Sequence, residues 1–101
     1  MSELADTVVE ENTKIKNDVP HLWAVIILND DKTPMDFVIH LLQSVFNYST
    51  EDATDLTLEV HESGSGVAGS YSYEIAEQLG LEATQLARDN GYPLKIQIKE
   101  E

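Results

Sequence analysis

The run Leu22 to Leu28, LWAVIIL, constrains this chain more than any other feature. It is rich in β-branched and aromatic side chains and has almost no polar break, which suits a strand covered on both faces. With 101 residues the chain has room for one hydrophobic core and not for two. Every other apolar element must therefore pack on the same core as this run.

Those elements can be read in order. Asn29-Asp30-Asp31-Lys32 is turn chemistry, and a helix begins beyond it, with Thr33 as its cap, Pro34 at its first position and Asp36 completing a capping box. Met35, Val38, Leu41, Leu42, Val45 and Phe46 then recur at three- and four-residue spacing. Ser49 with Asp52 repeats the capping signal and opens a second helix to about Glu62, with Ala53, Leu56 and Val60 inward. Ser63-Gly64-Ser65-Gly66 breaks the chain, and Gly66 to Tyr71 reads as a strand weakened by two glycines. A third helix is expected from about Ser72 to Asn90, with Ile75, Leu79, Ala83 and Leu86 on one stripe and Gly91 ending it. Leu94, Ile96 and Ile98 alternate with Lys95, Gln97 and Lys99 as a half-buried strand. The order β-α-α-β-α-β predicts an α+β fold: a single small domain over 21–101, with a three-stranded antiparallel sheet packed against three helices. Residues 1–20 are polar and acidic, end at Pro20 and are expected as a flexible N-terminal extension.

Charge and motifs exclude whole classes of function. A net charge of −13 repels nucleic acid phosphates and favours cationic partners, an ammonium group among them. No apolar run approaches the roughly 20 residues that span a bilayer, and the first residues do not read as a signal peptide. Cysteine is absent, which fits a reducing compartment, so the expected location is cytoplasmic, with neither nucleic acid nor membrane as a partner. There is no Gly-x-Ser-x-Gly elbow, no Cys nucleophile, no His-Glu-x-x-His and no phosphate-binding Gly-x-x-x-x-Gly-Lys-Ser/Thr. Asp30, Asp31 and His61 can be imagined as a metal site, but His21, His40 and His61 lack ligand-like spacing. The expectation is no enzyme, no metal and no cofactor. Taken alone, Asn29-Asp30-Asp31 is an ordinary turn.

Its company changes that reading. LNDDKTPMDF followed by VIHLLQSVF, then Ala53-Thr54, LEVHESG, YSYEIAE and ARDNGYPL together resemble the ClpS adaptor family over about residues 22–99. The resemblance implies a protein that binds substrates by a destabilising N-terminal residue, usually Leu, Phe, Trp or Tyr. It also implies delivery of those substrates to the ClpA unfoldase of the ClpAP protease, with the adaptor acting as a monomer. Carried over residue by residue, it assigns Asn29, Asp31 and His61 to the α-amino group and Asp30 to the peptide backbone just after it. It lines the side-chain pocket with Ile27, Leu28, Thr33, Met35, Val38, Thr57, Val60 and Leu94. Glu74 sits at an unfoldase-contact position, and so does Leu79, where a basic residue is typical of the family. Thr57 stands where the family commonly has a methionine that gates the pocket, which implies a shifted preference among first residues.

Elementary chemistry agrees with these assignments. A protonated N-terminus offers donors only, and an Asn oxygen, an Asp carboxylate and a neutral His nitrogen are acceptors. Such charge-assisted bonds are worth roughly 1.5–3 kcal/mol each, and burying a Leu or Phe side chain adds about as much. Protonating the histidine would turn its acceptor into a donor facing an ammonium and weaken the grip. A binding protein that holds N-terminal peptides without delivering them is the alternative, and Thr57 and Leu79 are the residues that favour it.

Overall fold

In the computed structural model, which describes residues 21–101, the apolar run becomes β1, Trp23–Leu28, the middle strand of a three-stranded antiparallel sheet. Strand β2, Ser65–Tyr71, lies on one side and β3, Lys95–Glu100, on the other. Trp23 stands opposite Tyr71 and Glu100, and Leu28 opposite Ser65 and Lys95. The β1–β2 register slips between Val25 and Ile26, whose partners are Gly69 and Val67, so Ala68 forms a bulge. The extension expected over residues 1–20 lies outside the described residues.

Alternation along β1 sends Val25 and Ile27, both fully buried, to one face together with Ile98 and Ile96 of β3. The helices pack on that face, where Gly80 stands over Ile96 and Ile98. The other face carries Ala24, Ile26 and Leu28 beside Lys99, Gln97 and Lys95, and Val67 of β2 is 47% exposed there. Among the described residues, one face is therefore covered by a second layer, where the apolar run suggests two. Ile26 and Leu28 are half-buried because a middle strand has side chains from both neighbours beside it.

Three helices complete the element order read from the sequence. Helix α1, Met35–Phe46, buries Val38, Leu41, Leu42 and Phe46. Its start differs from the expected capping box. Pro34, in an extended conformation, is the N-cap, and its carbonyl accepts from the N–H groups of Phe37 and Val38 at 3.1 and 3.2 Å. Thr33 cannot cap because its hydroxyl is drawn to Asp30 instead. Helix α2, Thr50–Ser63, is capped as its sequence indicates, Ser49 Oγ accepting from the Asp52 N–H at 3.0 Å.

Helix α3, Tyr73–Asp89, ends in a Schellman motif: the Tyr92 N–H reaches the Ala87 carbonyl at 2.9 Å, that of Gly91 reaches Arg88 at 3.0 Å, and Gly91 has φ 80°. Its buried line is Ala76, Ala83 and Ala87, with Leu79 and Leu86 half-buried against the core. Ile75 points to solvent and Ala76 takes its place, while Leu79, Ala83 and Leu86 of the expected stripe face the core. Small side chains let the helix axis approach the sheet while the two leucines fill in beside them.

Helix α2 comes closer still to the sheet. A Cβ on Gly66 of β2 would lie 2.8 Å from Leu56 Cδ1 and 2.9 Å from Val60 Cγ2, both buried. Substituting Gly66→Ala is expected to lower stability by about 1–3 kcal/mol, the usual cost of overpacking a filled core. Urea unfolding of the variant checks this, and an unchanged midpoint would show that the helix yields freely.

Candidate functional site

The site is assembled where β1 ends. The Asn29 N–H donates to the Gly64 carbonyl at 2.9 Å, and the Gly64 N–H donates to the Val60 carbonyl at 2.9 Å. Gly64 adopts φ 95°, a left-handed conformation that glycine reaches without strain, and so ends α2. These bonds fasten the end of β1 to the last turn of α2, which carries His61.

The loop after Asn29 is shaped by one carboxylate. Asp30 Oδ1 accepts from the N–H groups of Lys32 and Thr33, and Oδ2 accepts from the Thr33 hydroxyl, each at 2.8 Å. Burial pushes the Asp30 carboxyl up, but the three hydrogen bonds and the attraction of Arg88 outweigh it and hold the group below the ordinary aspartate value. A carboxylate has about four lone-pair sites, so Asp30 keeps some acceptor capacity after ordering its own loop. Asp31 is exposed beside it.

Between this loop and α2 lies a cleft of about 350 Å³. Asn29, Asp30, Asp31 and His61 line it with polar groups; Val38, Thr57 and Val60, all buried, give it an apolar floor. Thr33, Pro34 and Met35 complete the wall. Thr57, 2% exposed, donates its hydroxyl proton to the Ala53 carbonyl one turn back at 2.7 Å. Its polar group is thus satisfied within α2 and is not a spare donor. The cleft joins acceptors at its rim to an apolar interior, an arrangement that suits a ligand with a cationic donor group and an apolar body.

The structure brings nine of the sequence-nominated residues together on this cleft: Asn29, Asp30, Asp31, Thr33, Met35, Val38, Thr57, Val60 and His61. Ile27 and Leu94 are buried in the core rather than lining it, and Leu28 lines a separate depression with Thr84, Arg88 and Lys95. Glu74, in the first turn of α3, is exposed, Leu79 packs against the core, and no residue of α3 lines the cleft. Sequence reasoning missed Pro34 as a wall and the Gly64 carbonyl as the anchor of Asn29. The Ser-Gly-Ser-Gly break signalled a turn there but not its partner. Among the described residues, no group of three or more His, Cys, Asp or Glu side chains could hold a metal ion, and no helix is long and apolar enough to cross a membrane.

A small α+β domain with such a cleft is a binding module. Comparison with known proteins gives its family: the model of "ATP-dependent Clp protease adaptor protein ClpS" matches residues 18–97, and this chain belongs to the ClpS family. It is an adaptor of the Clp protease and not an enzyme. The ClpS adapter of Bdellovibrio bacteriovorus is 49% identical over 86 residues, covering 85% of this chain and 75% of that one. The adapter of Caulobacter vibrioides strain NA1000 / CB15N is 43% identical over 98 residues, 97% of this chain and 89% of its own. Among solved structures, Agrobacterium tumefaciens ClpS2 bound to L-phenylalaninamide superposes with a TM-score of 0.80 at 36% identity, over 82% of this chain and 100% of that one.

The lowered Asp30 value has a definite sign. A carboxyl held below its unfolded value stabilises the fold fully above that unfolded value, about 3.8, and the contribution fades as pH falls through the folded value. Asp30→Asn is therefore expected to cost about 1 kcal/mol near neutral pH, allowing for solvent screening, and almost nothing in strong acid. Urea unfolding at both pH values tests this; equal losses at the two would mean that charge is not what holds the loop.

Proposed function

We infer that the cleft binds proteins by a free N-terminal α-amine and a bulky apolar first side chain, and that the chain presents them to a ClpA-type unfoldase for degradation. The observation that carries this reading is the acceptor rim over an apolar floor. It is supported by a family relative bound to L-phenylalaninamide. That small molecule has a free amine, a large aromatic side chain and an amide that stands in for the first peptide bond of a substrate.

In this reading Asn29, Asp31 and His61 accept from the ammonium, and Asp30 uses its remaining capacity on the peptide backbone that follows. The side chain enters against Thr33, Met35, Val38, Thr57 and Val60. Ile27, Leu28 and Leu94, nominated with them, are not needed for it. Burial of a Leu or Phe side chain contributes about 1.5–3 kcal/mol, and with the charge-assisted bonds this reaches about micromolar affinity. Residues 1–20 serve as the extension engaged by the unfoldase, residues 21–101 as the adaptor domain, and Glu74 as an unfoldase contact in the cytoplasm. The packing of Leu79 into the core favours a second reading, in which docking is weakened and the chain sequesters N-terminal peptides. A ClpAP degradation assay with and without this protein separates delivery from sequestration.

Fluorescence anisotropy with peptides differing only at residue one tests recognition itself. Phe, Leu, Tyr and Trp peptides are expected to bind, and N-acetylation to weaken them at least about a hundredfold by removing charge and donors together. Amine-independent binding would sink the reading. Thr57→Met is expected to lower the affinity of the largest aromatic side chains relative to Leu, because it fills part of the floor. An unchanged ranking of peptides would remove Thr57 from the selection of residue one.

A further inference from the structure

Among the described residues two strands of the sheet have an unpaired edge, and the two edges are not equivalent. The outer edge of β2 is interrupted by the bulge at Ala68, and the Tyr48 hydroxyl donates to the Ala68 carbonyl at 2.5 Å. Strand β3 has neither obstacle. It pairs with β1 through six consecutive residues without a slip, and among the described residues no backbone hydrogen bond reaches its other edge. A long, regular and unblocked edge is a template for another strand.

A groove runs beside that edge, between β3 and α3. One part is an apolar depression of about 150 Å³ walled by Gly80, Leu81, Ile96 and Ile98, with Leu81 65% exposed. The adjoining part shares Thr84 and Ile96 with the first and brings Arg88 and Lys95 to the surface. Lys99 shares the outward face of β3 with Lys95. The chain has six Lys and Arg residues against 19 Asp and Glu, so three cations on and beside one strand form a local reversal of sign. Glu77 lines the other end of the groove, which gives it a polarity, cationic at Arg88 and Lys95 and anionic at Glu77.

We propose that the α3–β3 groove is a strand-addition site for an extended segment of a partner protein, with apolar side chains followed by carboxylates. The segment lies antiparallel to β3, its backbone completing the free edge. Its apolar side chains enter between Leu81, Ile96 and Ile98, and its carboxylates meet Arg88 and Lys95. A second copy of this chain is a poor occupant, because pairing β3 with itself sets Lys95 and Lys99 against like charges and buries the acidic surfaces of two chains of net charge −13 together. The groove shares no residue with the amine-binding cleft, so a partner held here leaves the cleft free.

The test uses the full chain and a peptide Thr-Val-Thr-Val-Glu-Glu, N-acetylated and C-amidated so that it offers no free amine to the cleft. In an isotope-labelled titration the expected shifts fall on the amides of β3 and the facing side of α3. At low salt the peptide should bind about tenfold tighter than its counterpart with lysines for glutamates, and salt should narrow that gap. Lys95→Glu should reverse the preference. Gly80→Met should abolish binding by filling the apolar depression. A Cβ at position 80 finds its nearest neighbours, Ile98 and Ile96 Cγ2, at 3.6 and 3.9 Å, so this variant should fold at least as well as the parent. It should also keep its affinity for a free-amine Phe peptide, which separates this site from the cleft. Equal binding of the two probes, shifts confined to the cleft, or concentration-dependent self-association through β3 would each overturn the proposal.

Discussion

The bond from the Asn29 N–H to the Gly64 carbonyl is the constraint on which the rest of the site depends. It joins two points that are 35 residues apart in sequence, the end of a strand and the end of a helix, and it does so with backbone groups alone. Gly64 can offer its carbonyl there because it turns left-handed, and the same turn lets its N–H close the last bond of α2. Asn29 and His61 then face one cleft without any contact between their own side chains being needed.

From that fastening the two halves of the cleft follow by different physics. The rim is polar and exposed, and its order comes from local hydrogen bonds, above all those to Asp30. The floor is apolar and buried, and its order comes from packing of α1 and α2 on each other and of α2 on Gly66. A rim ordered by hydrogen bonds can present acceptors without collapsing on them. A floor ordered by packing remains open only where the side chains leave space.

Much of this was legible in the sequence, and the reasons differ from element to element. The element order was readable because Ser49, Gly91 and the alternation of β3 each carry a local signal that the tertiary structure keeps. The start of α1 was not, since the Thr33 hydroxyl had two possible partners and a carboxylate three residues back outcompetes the helix. That no second layer covers the outer face of β1 among the described residues was not legible, because a middle strand and a strand between two layers have the same composition. On α3, Ile75 and Ala76 both lie near the inward direction, and only the close approach to the sheet decides for the smaller residue. Nine of the twelve nominated rim, backbone and pocket residues line one cleft because the family resemblance carried long-range information that periodicity lacks. The carbonyl of Gly64 belonged to neither source, for backbone acceptors leave no trace in side-chain identity.

Thr57 and His61 are neighbours on α2, one turn apart, yet they answer to different neighbours: the first is buried with its hydroxyl closed onto Ala53, the second stands in solvent at the rim. A change at 57 reshapes the mould without disturbing the polar rim above it, and a change at 61 alters the rim's polar groups without disturbing the mould. The shape of the cleft and the polarity of its rim are thereby set by separate residues along a single helical turn. Substitution can therefore recast the interior of the cleft while its polar rim stays as it is.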